Sequence, residues 1–295
     1  TSLGVRQELD KIRSLSTDKK STNGLKGAAF AALIKLAGEK DKLNVLMDFL
    51  RLSNQNDRHC AVQDIITAGH ISMIPFLIEA PISPSFKIQA IDSLWDNELL
   101  NRENVNLINS LDSVIRDDLH RIRPIEINDF KISINFLIDQ LFHTDFNRCY
   151  KALLELQKFP PEEVLYSLNI NWDRAKFDYG AIYFFINAYN LLIKKGIYDT
   201  SILSKIDFLL SDYWPDYMKF KSSAIQVLAS LNIIKFNDYI DKFSDERFTP
   251  FWKNRYAALL VLQNNEFDSK KDFSDLFLKD SHRFIRLKAN QVFYR

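Results

Sequence analysis

The chain has few of the residues that punctuate β structure and tight turns. Its 295 residues include only 7 glycines and 8 prolines, whereas an all-β or Rossmann-type chain of this length usually needs more turn glycines. With 46% apolar and 13% aromatic residues, the chain is too apolar to be disordered and long enough to bury a large core. The composition therefore predicts helices joined by short loops.

Cysteine and the common metal-binding and catalytic patterns are also scarce. The two cysteines, Cys60 and Cys149, cannot build a disulfide framework, and they form no metal-ligand spacing with the five histidines. The glycines form no phosphate-binding loop, and no serine lies in a nucleophile elbow. We therefore expect no metal site and no tightly bound cofactor. Because each cysteine lies within an apolar helical pattern, we expect both to be buried.

An excess of one charge is absent as well. The 39 Lys and Arg residues nearly cancel the 38 Asp and Glu residues, which leaves a formal net charge of +1 and no general attraction to a phosphate backbone. Nucleic acid is therefore a disfavoured partner. No uninterrupted apolar run approaches the length of a membrane span, and residues 1–16 lack a signal-peptide core. We expect a soluble, cytoplasmic protein.

What the chain does contain is a short recurring motif. A basic or polar residue is followed three positions later by alanine and four positions beyond that by a large apolar residue. These offsets place the last two residues on one helical face, where the small alanine lets a neighbouring helix approach closely. The copies are Lys26/Ala29/Leu33, Arg58/Ala61/Ile65, Lys87/Ala90/Leu94, Cys149/Ala152/Leu156, Asp178/Ala181/Phe185, Lys221/Ala224/Leu228, Arg255/Ala258/Leu262 and Arg286/Ala289/Phe293.

Most copies begin about 31 residues apart, and a second apolar-periodic run precedes each motif helix. Each repeat is therefore predicted to be a helical hairpin, and in the last one Asp280 or Ser281 is the expected cap of the second helix. Stacking such hairpins buries the face that one hairpin alone leaves exposed.

We predict an all-α fold, a right-handed α-solenoid of about eight or nine HEAT-like helical hairpins. The interval between Lys87 and Cys149 is twice the usual one, so it contains one degenerate repeat. The expected organisation is a single domain over residues 1–295, with an N-terminal cap at about 1–20 and the degenerate repeat at about 97–145.

The motif resembles the repeat of a known family. In the short HEAT-like repeats of the phycobilisome-lyase type, an acidic turn and Val-Arg precede an Ala-rich second helix. The closest matches are Asp57-Arg58 with Ala61, Asn254-Arg255 with Ala257-Ala258, and Ile285-Arg286 with Ala289. From about residue 22 to 295, the chain looks like the E/F-type phycobilin lyases of that group. The motif itself is degenerate, and it indicates the repeat architecture but not the activity.

This resemblance implies attachment of a phycobilin, a linear tetrapyrrole, through a thioether to a cysteine of a phycobiliprotein subunit, or chaperoning of that subunit and its bilin. The phycobilin is then a substrate, the subunit is a protein partner, and a second lyase subunit is a further candidate partner. The alternative is a non-catalytic HEAT-repeat adaptor that binds a protein segment in its concave groove. A nucleic-acid-binding HEAT protein of the alkyl-base glycosylase kind lacks support because the basic excess is missing.

The densest mixed-charge cluster of the chain spans residues 115–124. Its arginines could pair with bilin propionates, and its aspartates could accept hydrogen bonds from protonated pyrrole nitrogens. The structural alternative is a solvated helix end stabilised by i to i+4 ion pairs. The candidates here are Asp117 and Asp118 as catalytic residues and His120, Arg121 and Arg123 as bilin-binding residues.

A second cluster spans residues 172–179, where a flat aromatic ring beside Asp and Arg could stack on a pyrrole ring. Another Trp-Asp pair follows the Lys87 helix, and its tryptophan is better explained as the anchor of a hairpin end. The candidates are Asp173 and Asp178 as catalytic residues and Trp172, Arg174, Tyr179, Trp95 and Asp96 as bilin-binding residues.

The remaining basic and aromatic positions favour structural roles. The basic residues that open the repeat helices, such as Lys221, Arg255 and Arg286, could line the concave face, but we favour pairing with turn carboxylates such as Asp216 or Asp280. The aromatic side chains of residues 179–189 are predicted to be core.

Overall fold

Helices form every regular element within the residues that the computed structural model describes, which are 2–95, 103–128, 130–264 and 273–294. This confirms the all-α prediction from the low glycine content and the helical spacing of the apolar residues. None of the helices in these ranges combines the length and the apolar character needed to cross a bilayer.

Two compact units are distinguished by their internal contacts. The described residues of Thr1–Val114, Asp118–Asp129 and Asp145–Tyr150 form the first unit. Its helices are α1 (Ser2–Thr17), α2 (Asn23–Ala37), α3 (Leu43–Phe49), α4 (Gln55–Ala68), α5 (Ile74–Glu79), α6 (Pro84–Leu94) and α7 (Glu103–Ile115), whose last residue is assigned to the second unit.

The described residues of Ile115–Asp117, Phe130–Thr144 and Lys151–Arg295 form the second unit. Its helices are α8 (Ile134–Gln140), most of α9 (Phe146–Leu156), α10 (Pro161–Ile170), α11 (Trp172–Ala175), α12 (Tyr179–Lys194), α13 (Thr200–Leu210), α14 (Lys221–Leu231), α15 (Ile233–Ser244), α16 (Trp252–Asn264), α17 (Ser274–Leu278) and α18 (Arg283–Phe293). The stretch predicted as a degenerate repeat, about 97–145, contains α7 and α8. Its described residues between 122 and 133 are non-helical.

Layers of helices form around the motif alanines. All eight alanines lie in helices and are buried. In the first unit α2 packs on α4 and α4 on α6, and in the second unit α12, α14, α16 and α18 pack in that order. Helices α3, α5, α13, α15 and α17 each pack on the motif helix that follows. Stacked helical hairpins are therefore present in both units, while the number of hairpins, their handedness and the single domain stay predictions.

Three motif arginines bind the backbone of the turn that precedes their own helix. In each, Nη1 donates to the carbonyl groups five and six residues earlier, and the six distances are 2.6–2.9 Å. Arg58 and Arg255 are completely buried, whereas Arg286 is exposed. Carbonyl oxygens that no helix bond reaches need a donor, so these arginines fix the hairpin turn.

Arg255 also forms the buried ion pair that the sequence predicted. Its Nε and Nη2 donate to the two carboxylate oxygens of Asp280 at 2.6 and 2.8 Å, and both side chains are 1% exposed. Arg58 likewise pairs with Asp145, which lies just before α9. The two-pronged geometry of the Arg255–Asp280 pair satisfies both charges in a site that water does not reach.

Lys221 does not form the predicted ion pair with a turn carboxylate of the described residues, and the predicted cap of α18 was wrong. Lys221 Nζ lies 3.5 Å from the carbonyl oxygen of Ser211, at the end of α13, and Asp216 accepts bonds from Asn254 and Phe251 instead. The cap of α18 is His282. Asp280 lies two residues before this cap, where its carboxylate pairs with Arg255 and also accepts a hydrogen bond from the backbone nitrogen of His282 at 2.7 Å.

The prediction of burial was right for one cysteine and for the aromatic helix. Cys149 is buried, as are the rings of Tyr183, Phe184, Phe185 and Tyr189. Cys60 is exposed, so that prediction was wrong. It directly precedes the packed Ala61, and neighbouring residues of a helix point about 100° apart.

One carboxylate in the first unit is buried without a partner. Asp64 on α4 is 8% exposed, and its Oδ2 has no hydrogen-bond partner among the described residues. It occupies the space above Gly27 of α2, where an added Cβ would lie only 2.1 Å from Oδ2. Burial raises the pKa of Asp64 to about 6, because desolvation disfavours the charged form.

We expect Arg255→Met to lower the free energy of unfolding by about 3–5 kcal/mol, because it leaves Asp280 buried and unpaired. Urea unfolding followed by circular dichroism measures this change. Lys279→Ala is the matched control, since Lys279 and Asp275 form an exposed pair in the same hairpin and should contribute about 0.5 kcal/mol or less. Equal effects of the two substitutions would show that the buried pair does not hold the turn.

We expect the free energy of unfolding to fall by about 2 kcal/mol as the pH rises from about 4 to above 6. Ionising Asp64 costs more in the folded state, where its pKa is about 6, than in the unfolded chain, with an allowance for partial screening. Asp64→Asn should remove this fall in urea unfolding measured across the same pH range. The exposed Asp48→Asn serves as the control, and an unchanged pH profile in Asp64→Asn would refute the assignment.

Candidate functional site

The residue that follows α7 has an unusual backbone. Asp117 adopts a left-handed conformation with φ of 46°, and no other non-glycine residue in the described ranges has a positive φ. Aspartate tolerates this region better than most residues, and a left-handed residue commonly ends a helix. Its side chain is 6% exposed, so the turn directs a carboxylate into the interior of the second unit.

The three residues Ile115–Asp117 are held by three motif helices of the second unit. Asp117 Oδ2 accepts hydrogen bonds from Tyr183 Oη at 2.5 Å and Asn187 Nδ2 at 2.9 Å, both on α12. On α14, Gln226 Nε2 donates to the carbonyl oxygen of Ile115 at 3.0 Å. The segment is therefore fixed by its side chains and by its backbone.

Arg116 lies between these two anchored residues and reaches α16. With the side-chain amide of Asn264 turned so that its oxygen faces the guanidinium group, Arg116 Nη1 donates to that oxygen at 2.7 Å. Among the described residues Arg116 forms no ion pair. Its guanidinium is thus oriented by a neutral group and has no counter-ion among the described residues.

A pocket of about 300 Å³ opens beside Arg116 on the second unit. Its charged members, among the described residues, are Arg116 and Lys194, and no described carboxylate lines it. Amide and hydroxyl groups and an apolar floor complete the wall. The lining residues are Arg116, Asn190 and Lys194, then Gln226, Ala229 and Ser230 of α14, and Leu260, Val261 and Asn264 of α16. Such a wall suits a ligand with both an apolar body and negative charge.

The first predicted cluster is divided between the two units. Asp117 belongs to the second unit, as described above. Asp118 belongs to the first, where its Oδ1 accepts from the backbone nitrogen of His120 at 3.2 Å. His120 and Arg121 are exposed, and Arg123 pairs with Glu79 across 3.0 Å. Asp118 therefore has a local capping role in the structure.

In the second predicted cluster, each side chain contacts a different partner. Trp172 packs near Tyr189, with ring centroids 6.4 Å apart, and Asp173 pairs with Lys176 at 2.7 Å. Asp178 caps α12 by accepting from the backbone nitrogens of residues 180 and 181. The cluster therefore does not converge on one point.

The other members of this cluster also contact separate groups. Arg174 pairs with Asp139 at 2.6 Å and lies 3.8 Å from the ring centre of Phe142. Tyr179 is 54% exposed and lies edge-on to Trp214. Trp95 ends α6 in the first unit and is buried, while Asp96 lies outside the described residues.

The pocket residues themselves were not predicted, although the sequence contains a sign of them. Gln226, Ser230 and Asn264 each follow a motif alanine or motif apolar residue by two positions. On α12 the same positions are Tyr183 and Asn187, the two partners of Asp117. Polar residues at this register therefore mark the face of the motif helices that holds Ile115–Asp117 and the pocket.

Comparison with known proteins gives two relatives, and no family model matches the chain. The bilin biosynthesis protein CpeY of a Synechococcus species is 32% identical over 269 residues, which are 89% of this chain and 62% of the relative. An uncharacterized phycocyanin operon protein Y of Pseudanabaena tenuis is 25% identical over 293 residues, which are 98% of this chain and 66% of the relative. The chain spans about two thirds or slightly less of the length of each. These comparisons agree with the resemblance drawn from the repeats: the chain is similar to a protein named for bilin biosynthesis and to one named for the phycocyanin operon.

Proposed function

We propose that the chain is a phycobilin lyase, or a chaperone that delivers the bilin, and that it acts on a phycobiliprotein subunit. The observation that carries this proposal is the 32% identity to a bilin biosynthesis protein along 89% of the chain. The phycobilin is then a substrate and not a resident cofactor, and we place the reaction in the cytoplasm.

The helical layers support a HEAT-like α-solenoid for this function. Stacked motif helices present a continuous face, and such faces commonly bind extended partners. An adaptor would use the same architecture, but the pocket beside Arg116 favours a small ligand in addition to a protein partner. The adaptor is therefore the alternative function that the experiment below tests.

In the proposed reaction the client thiol adds across a carbon–carbon double bond of the bilin. A carbon–sulfur bond forms, the thiol proton is transferred to the neighbouring carbon, and no oxidant or reductant is needed. The reacting cysteine belongs to the client. The chain would contribute by positioning the two reactants, because fixing them together removes translational and rotational entropy from the barrier.

Stabilising a protonated, more electrophilic bilin would call for a carboxylate near the pyrrole nitrogens. Of the four candidate aspartates, Asp118 and Asp178 serve as caps and Asp117 is buried against α12. Asp173 is not a cap, its side chain is 86% exposed, and the hydrogen bond from Lys176 holds its pKa below the usual value. Asp173 is therefore our first candidate for this role, and Asp117 is proposed as a positioning residue.

We expect co-expression of this chain with a bilin-producing system and a phycobiliprotein subunit to give covalently coloured subunit. Denaturing electrophoresis followed by zinc-enhanced bilin fluorescence measures the attachment. The control is the same strain without this chain, and each arm is repeated with a second lyase subunit. Colourless subunit that still copurifies with the chain in every arm would support the adaptor and refute the lyase.

We expect Asp173→Asn to reduce attachment several-fold without changing the thermal stability, because its side chain is exposed. Asp117→Asn should lower the free energy of unfolding by about 1–3 kcal/mol, since it weakens two buried hydrogen bonds while keeping a residue that tolerates the left-handed backbone. Attachment and urea unfolding are measured for both. Unchanged attachment in all four Asp→Asn variants, Asp118 and Asp178 included, would remove the catalytic aspartate.

A further inference from the structure

The geometry points to the pocket beside Arg116 as the site that binds the two propionate carboxylates of a linear tetrapyrrole. This inference rests on the proposed function and names the part of the chain that would bind the bilin. Arg116 and Lys194 are the carboxylate-binding groups, and the apolar floor of α14 and α16 receives the rings between them.

The charge of the wall is the first reason. Three other arginines of the second unit have their charge balanced by a carboxylate, as in Arg174 with Asp139, Arg247 with Asp245 and Arg255 with Asp280. Neither Arg116 nor Lys194 forms an ion pair with a described residue. Two unbalanced cations in one pocket without a described carboxylate favour a ligand with two negative charges.

The orientation of Arg116 is the second reason. Its neighbours Ile115 and Asp117 are bonded to α14 and α12, and its guanidinium contacts Asn264 of α16. A guanidinium fixed in this way presents its remaining donors in a planar fork that matches a carboxylate. Lys194, in the last turn of α12 and exposed, supplies a mobile point charge that can follow the second carboxylate.

The size of the pocket is the third reason. Its volume of about 300 Å³ is at the lower end of the range of roughly 300–1,000 Å³ for small-molecule sites. It therefore encloses only part of a four-ring chain. The propionates of a linear tetrapyrrole are carried by its two middle rings, so anchoring them leaves the reactive end ring outside, where a client thiol can reach it.

The test compares biliverdin, which has two free propionates, with its dimethyl ester, which has none. Both are titrated into the full chain and followed by bilin absorbance. We expect the acid to bind about tenfold more tightly than the ester, because the ester removes the charge from both hydrogen-bonded carboxylates. Arg116→Gln and Lys194→Gln should each weaken binding of the acid severalfold and leave binding of the ester unchanged.

Lys158→Gln is the matched control, an exposed lysine of the same unit outside the pocket, and it should bind both bilins as the parent chain does. Arg116→Lys keeps the charge and should recover part of the affinity. Thermal unfolding of every variant separates lost binding from lost folding.

Equal binding of acid and ester, no binding of either, or unaltered binding of the acid by Arg116→Gln and Lys194→Gln would each overturn the inference. If these two variants instead no longer bind a bilin-free phycobiliprotein subunit but still bind biliverdin, the pocket binds carboxylates of the protein partner. That result also overturns the inference. Covalent attachment is scored separately. If the chain prefers the acid but attaches no bilin, the pocket inference holds and the proposed lyase activity is wrong. If it attaches bilin without preferring the acid, the lyase proposal holds and the pocket inference is wrong.

Discussion

Burying a positive charge at the beginning of the motif helix is the constraint around which four of the hairpins are built. Arg58, Lys87, Lys221 and Arg255 are nearly inaccessible to water, and each donates to carbonyl groups at or beyond the end of the preceding helix. A cation in that place is stable only if the turn supplies those oxygens. The side chain therefore fixes the angle between the two helices, and the small alanine three residues later allows the next layer to approach.

The pocket depends on the same layering. Its wall is formed by residues of α12, α14 and α16, and the helices that pack through their alanines present polar positions two residues after the motif residues, where they line the pocket on α14 and α16 and bind Asp117 on α12. The short segment after α7 binds to those positions at three points. The pocket lining and the orientation of Arg116 therefore both depend on the helix packing. A change in the spacing of the layers would move all the pocket residues at once.

The sequence predicted the architecture far better than the site. Alanine and apolar residues at helical spacing identified all eight motif helices, because close packing depends on side-chain volume and repeats in every layer. The residues of the candidate site, in contrast, do not recur from one repeat to the next. Asp117 and Asp178 lie in sequence clusters whose composition is typical of a binding site. In the structure Asp117 is buried and hydrogen-bonded to Tyr183 and Asn187, and Asp178 caps a helix. Arg116 belonged to the predicted cluster but was passed over, since its environment is created by helices more than 70 residues further along the chain.

A pocket that encloses only part of its ligand also sets how that ligand leaves. In the proposed reaction, a bilin that has become bonded to its client would be pulled by each rotation of the client, and the carboxylate contacts and the apolar floor of the pocket would oppose that pull. Arg116 contacts Asn264 of α16, whereas Lys194 is exposed and carries its charge on a flexible stem, so the Lys194 contact would loosen first. Under the proposed function, such stepwise release would need no hinge or lid, and the same two charges would both hold the bilin and let it go.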